Sequence, residues 1–195
     1  MMRGLLIVCV LVLAGIAGVA AVQWLAPQGE QAGGPVAIGG PFALTDQDGR
    51  AVTEQSYAGE LMLVYFGYTN CPDICPTGLQ TIAIAMDELG EAGKAVRPIL
   101  ITVDPERDTP AALKEYVQAF HPRLVGLTGS PEQIAKVARE YRVYYQKAEL
   151  KGSSLGYAVD HSGFMYLMDG RGRYLAHFRH DISPGELAQR IRAKL

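Results

Sequence analysis

Two cysteines four positions apart, Cys71 and Cys75, lie in the stretch FGYTNCPDICPTGLQ (residues 66–80), and each is followed by a proline. The third cysteine of the chain, Cys9, sits in an apolar N-terminal run unlike the surroundings of the pair. A single dithiol cannot build a disulfide framework, so the pair points to redox or metal chemistry. Spacing separates the two. A redox dithiol typically reads C-x-x-C, whereas Pro72, Asp73 and Ile74 stand between these sulfurs. Positions i and i+4 share a helix face, so two thiolates at a loop–helix junction can converge on one ion. Asp73 between them disfavours a bare nucleophilic thiolate and favours a nearby cation. Metal binding is the preferred chemistry, with thiol–disulfide exchange by Cys71 and Cys75 second. A protective disulfide comes third, since structural bridges usually close longer loops.

Two thiolates are too few ligands for most metals, and the chain has 4 histidines to offer a third. His121 precedes Pro122 at a helix end and reads as a complement to the helix dipole. His177 and His180 fall on opposite faces of an expected strand and read as solvated surface. His161 stands in YAVDHSGFMYLMD, in an expected turn with Asp160 and Ser162 beside it, and is the remaining candidate. Met165 and Met168 alternate with aromatic and aliphatic neighbours, which suits packing better than ligation.

The cysteines need a strand and a helix to position them. LMLVYFG (61–67) is a continuous apolar run of buried-strand type, and Leu79, Ile82, Ala83, Met86 and Leu89 then recur at helical spacing. The pair thus lies at the carboxyl end of a strand and the start of a helix, with Pro76 in the first turn. Free N–H groups and the dipole at that end favour thiolate over thiol. PFALTDQDGRAVT predicts a hairpin around Asp48-Gly49, and VRPILITVD (96–104) a second buried strand. DTPAALKEYVQAF predicts a helix capped by Thr109, LVGLTG a short strand, and SPEQIAKVAREY a helix capped by Ser130 with Gln133. Residues 164–168 and 174–180 flank DGRG as a hairpin, and Ser183 with Glu186 predicts a capping box on the last helix. The order is hairpin, β, α, β, α, β, α, hairpin, α. It suggests an α/β three-layer sandwich with a mixed sheet, compatible with a thioredoxin-like fold carrying an N-terminal hairpin.

Upstream, Gly4 to Leu25 is almost wholly apolar, and as a helix it would span about 33 Å, enough for a bilayer core. A single transmembrane anchor over residues 1–25 is preferred to a cleaved signal peptide, because the run is long for one and Trp24 suits the interface. Residues 26–40, rich in Gly, Pro and Gln, read as a flexible linker, leaving 41–195 as the folded domain. Only three residues precede the apolar run, which leaves no room for an Arg-rich transit peptide. The expected location is a bacterial inner membrane, with the soluble domain in the periplasm. The net charge of −2, without any basic run, argues against nucleic-acid binding.

VYFGYTNCPDICP, ITVDPERDTP and VDHSGFMYLMD, in this order behind a single anchor, resemble the Sco family (synthesis of cytochrome c oxidase) from about Pro41 to the C-terminus. The combination of C-P-x-x-C-P with a downstream D-H-S is far more specific than either alone. The resemblance implies a thioredoxin-like fold, copper as the bound ion and Cys71, Cys75 and His161 as its ligands. It implies a role in assembling the binuclear copper centre of cytochrome c oxidase subunit II, by supplying copper, by reducing that centre's cysteines, or both. Other periplasmic copper carriers and a thioredoxin-like reductant are further expected partners. Two soft thiolates and an imidazole suit copper, and three-coordination is comfortable for Cu(I). Zinc would want a fourth ligand, and Cu(II) would need water or a carboxylate such as Asp160 to complete a tetragonal set. The turn Asp169-Gly170-Arg171-Gly172 lacks the proline that relatives often carry after the aspartate, away from the ligands.

Overall fold

The structure, a computed structural model, describes residues 37–195 except 151, 153 and 154. Its elements run β1 (Ala43–Asp46), β2 (Ala51–Thr53), β3 (Leu61–Gly67), α1 (Ile74–Leu89), β4 (Val96–Thr102), α2 (Pro110–Gln118) and β5 (Val125–Thr128). They continue as α3 (Pro131–Glu140), β6 (Tyr145–Glu149), β7 (Tyr157–His161), β8 (Phe164–Met168), β9 (Tyr174–Arg179) and α4 (Pro184–Arg192). Seven strands form one mixed sheet in the order β2-β1-β5-β4-β3-β8-β9, and β6 and β7 form a separate two-stranded sheet.

The apolar run of β3 is buried because the strand is central. It pairs in parallel with β4 from Leu61 opposite Val96 to Gly67 opposite Thr102, and antiparallel with β8. Helices then cover both faces. Tyr65, Leu100 and Gly126 lie side by side across β3, β4 and β5. The Tyr65 hydroxyl donates to the Ile74 carbonyl of α1, and Gly126 lies against Leu113 and Val117 of α2, so α1 and α2 share a face. α4 packs beside α1. On the opposite face Phe66 meets Tyr141, the residue that closes α3. Met165 and Met168 are completely buried, in keeping with packing.

Local signals set the helix ends as expected. Thr109 accepts from the Ala112 N–H, and Ser130 with Gln133 forms a reciprocal capping box. α1 stops at Gly90, whose φ of 57° favours glycine. At α4 only half of the expected box forms. Ser183 accepts from the Glu186 N–H, but the Glu186 carboxylate turns forward to Arg190, one helical turn on.

The β6–β7 hairpin is absent from the sequence-derived order, and its polarity explains why. β6 has no buried residue and its partly buried positions, Tyr145 and Ala148, are three apart, while β7 buries Val159 alone, so neither strand carries a clean two-residue period. The expected membrane helix and the linker up to residue 36 lie outside the described residues. Among the described residues no helix is long and apolar enough to cross a membrane.

Candidate metal centre

Cys71 lies in the loop leaving β3, and Cys75 is the second residue of α1. Both are free and buried. Gly67 ends β3 directly beneath them: a Cβ there would stand 2.8 Å from the Cys75 sulfur and 3.3 Å from Leu100. Gly67→Ala should therefore displace Cys75 and cost about 1–3 kcal/mol by overpacking. Urea unfolding together with metal titration would show both losses; an unchanged site would contradict the tight fit.

The structure brings His161 to the pair across 86 residues of sequence, with Nε2 at 3.1 Å from the Cys75 sulfur and 3.9 Å from that of Cys71. His161 is the last residue of β7, paired with Tyr145, rather than part of a turn. Its Nδ1 faces the Ser162 carbonyl at 3.3 Å. A proton on Nδ1 would leave the Nε2 lone pair free for a metal ion, whereas in the metal-free protein an Nε2–H can donate to the sulfurs. Tyr65 and Tyr68 stand edge-on to the imidazole, with ring centroids at 6.4 and 5.8 Å.

The three donor atoms lie within 4.8 Å of one another, and no other cluster of at least three such side chains occurs among the described residues. An ion bonded at about 2.0–2.3 Å to three donors at trigonal angles holds them about 3.7 Å apart. Small side-chain adjustments reach that arrangement. A cleft of about 260 Å³, lined by Cys71, Pro72, Asp73, Asp160 and His161 among others, opens the group to one side. Asp160 itself is exposed and is not part of the donor cluster.

The electrostatics divide the two thiols. Hydrogen bonds from the Cys75 thiol first, then from His161 and the Asp73 and Cys75 backbone, bring Cys71 down to about 4 against the cost of its burial. Burial first, then the neighbouring Cys71 sulfur, pushes Cys75 far up. The pair is coupled, and its surroundings favour the thiolate at Cys71, near the helix N-terminus, over Cys75. Alkylation of the reduced, metal-free protein should accordingly label Cys71, with a pH midpoint far below the ordinary thiol value. Preferential labelling of Cys75 would contradict this division.

Side chains that the sequence reading did not single out hold the site. The buried Asp108 carboxylate accepts from the Thr69 hydroxyl at 2.6 Å, the Thr69 N–H at 3.1 Å and the Thr102 hydroxyl at 2.6 Å. It thereby ties the cysteine loop to the end of β4. The Tyr68 hydroxyl accepts from the Val159 N–H at 3.0 Å and so ties that loop to β7. Three acids and an arginine in the run Asp104 to Asp108, at the carboxyl end of a buried strand, were the available signal.

The other histidines lie apart from the donor cluster. His121 does more than complement the helix dipole: its Nδ1 accepts from the Arg123 N–H, and burial lowers its pKa. His177 is exposed against Phe164, but His180 is half-buried with its ring over Gly163 rather than solvated.

Fold and donors together define a class: a thioredoxin-like α/β protein with a Cys-Cys-His group able to hold a metal ion between its first helix and an inserted hairpin. The model of the family described as SCO1/SenC matches residues 30–195, and the chain belongs to that family. A SCO2-like protein of Rickettsia conorii is 44% identical over 157 residues, 80% of this chain and 77% of the relative. The solved structure of Arabidopsis thaliana ScoI with copper bound matches with a TM-score of 0.77 at 46% identity, covering 81% of this chain and 98% of that one. BsSco, a member of the Sco family of cytochrome c oxidase assembly proteins in which a disulfide switch was identified, matches with a TM-score of 0.63 at 27% identity, covering 84% and 97%.

Proposed function

We propose that this protein is a copper-binding chaperone that supplies copper to the binuclear centre of cytochrome c oxidase subunit II. The convergence of the Cys71 and Cys75 sulfurs with His161 Nε2 carries this reading. Two soft sulfurs and one imidazole suit Cu(I), which is content with three ligands, whereas zinc would want a fourth. Copper is cargo here. An incomplete ligand shell beside an open cleft lets an acceptor's donor attach before these ligands leave.

The same proposal gives the N-terminal segment its purpose. An anchor over residues 1–25 and a linker over 26–40 would hold the domain of residues 41–195 at a bacterial inner membrane, facing the periplasm. Confinement there raises its effective concentration near a membrane-bound acceptor. Full-length protein should stay with the membrane fraction after an alkaline wash; a mature soluble protein starting near Ala21 would instead show a cleaved signal peptide.

The depressed pKa of Cys71 supports a second reading, reduction of the acceptor's cysteines by thiol–disulfide exchange with Cys71 and Cys75. Such a reductase would itself be recharged by a thioredoxin-like partner, as a chaperone would be recharged by periplasmic copper carriers. Anaerobic mixing of the copper-loaded protein with reduced, copper-free subunit II domain separates the two. Metal should leave this protein and appear on the acceptor. Retention of the copper there, together with reduction of an oxidised acceptor by the reduced, copper-free protein in a parallel mixture, would favour the reductase.

A further inference from the structure

His161 reaches the cysteines from a hairpin that is not part of the main sheet, so something else must set its position. The inward face of β7 shows what does. Tyr157, Val159 and His161 alternate onto one face of the strand. Val159 is buried with its N–H on the Tyr68 hydroxyl, and His161 faces the sulfurs. Tyr157, at the start of the strand, meets Arg107.

Arg107 makes several contacts between the hairpin and the rest of the domain. Its Nη1 donates to the Tyr157 carbonyl at 3.1 Å and the Leu155 carbonyl at 3.3 Å. Its guanidinium lies 3.8 Å from the centre of the Tyr157 ring. Its Nε is paired with the Asp104 carboxylate, whose side chain is wholly buried. The other oxygen of Asp104 accepts from the Tyr157 hydroxyl at 2.8 Å and closes the ring of contacts. Glu106 adds an ion pair to Lys147 on β6 at 2.6 Å. From Tyr157 to His161 the strand runs about 13 Å, so a shift at its start is carried to the imidazole.

We propose that Arg107 is a positioning residue: its contacts with Asp104 and Tyr157 latch the β6–β7 hairpin to the end of β4 and thereby hold His161 over Cys71 and Cys75. Arg107 makes its contacts with Asp104, Leu155, Tyr157 and the Tyr68 ring rather than with Cys71, Cys75 or His161. It acts through His161, and the inference rests on the reading of His161 as a copper ligand. A planar guanidinium can engage one carboxylate, two carbonyls and a ring face at once, which an ammonium cannot.

Arg107→Lys tests this, because lysine keeps a cation for the buried Asp104 while losing the forked grip. Cu(I) affinity of the full-length protein would be measured by chelator competition for wild type, Arg107→Lys, His161→Ala and the double variant. Arg107→Lys should weaken binding by about tenfold, as changes behind a metal ligand do. On the His161→Ala background it should add nothing, since no imidazole remains to be held. Equal weakening in both backgrounds would show a general structural effect and overturn the latch. So would no weakening beside a clear effect of His161→Ala. Unchanged binding by His161→Ala alone would instead bring down the ligand reading. Should Arg107→Lys fail to fold, Tyr157→Phe, which removes only the hydroxyl bond to Asp104, is read in the same cycle with a smaller effect expected.

Discussion

His161→Ala is expected to weaken Cu(I) binding by at least about 100-fold, more than changes behind a ligand commonly cause. The variant removes one of three convergent donors. It leaves Cys71 and Cys75 in place, with their backbone hydrogen bonds. If supplying copper is the role, oxidase assembly should fail nearly as badly as with Cys71→Ser or Cys75→Ser. Reduction of a model disulfide by His161→Ala should meanwhile survive, since exchange needs only the two sulfurs. Added copper should restore part of the assembly, because mass action offsets weak binding. A His161→Ala protein that assembles oxidase normally at low copper would sink the chaperone reading.

Asp108→Ala is expected to have the largest effect on the fold around the site. The side chain is buried and accepts from three donors, the Thr69 N–H and the Thr69 and Thr102 hydroxyls. Truncation leaves them without their acceptor and should cost about 3–5 kcal/mol in urea unfolding, while freeing the cysteine loop. Asp108→Asn should behave differently. Burial raises the Asp108 carboxyl above its ordinary value, against the pull of its hydrogen bonds. The folded state therefore holds that proton more tightly than the unfolded chain does. Stability from this group is greatest in acid and is lost as pH rises through the folded pKa. Asparagine keeps an oxygen acceptor without the charge, and Thr69 can rotate its hydroxyl to accept from the new amide. At neutral pH Asp108→Asn should stay within about 1 kcal/mol of wild type. Equal losses in both variants would mean that the ionised carboxylate, rather than the hydrogen-bond pattern, holds the loop.

The two halves of the site differ in how far the sequence reveals them. Cys71, Cys75, the strand before them and the helix after them are local: an apolar run, a Pro-flanked dithiol and a helical period stand within one stretch of chain. The helix caps at Thr109 and Ser130 are legible for the same reason. His161 is a candidate by its neighbours Asp160 and Ser162, and becomes a specific one only through the family motif. The β6–β7 hairpin that carries it leaves no clean pattern, because Val159 is its one buried residue and polar contacts do much of the rest. Those contacts bridge residues far apart in sequence. Arg107 reaches Tyr157 across 50 positions, and Asp108 reaches Thr69 across 39. Nothing in ITVDPERDTP says that Asp104, Glu106 and Arg107 grip the histidine hairpin while Asp108 grips the cysteine loop.

Anaerobic Cu(I) titration of the reduced protein, read by X-ray absorption, tests the copper site most directly. One ion per chain should bind, with two sulfurs and one imidazole nitrogen around it and a free coordination position. Binding through sulfur alone, bridging of the ion between chains, or no tight binding at all would contradict a copper site built from Cys71, Cys75 and His161.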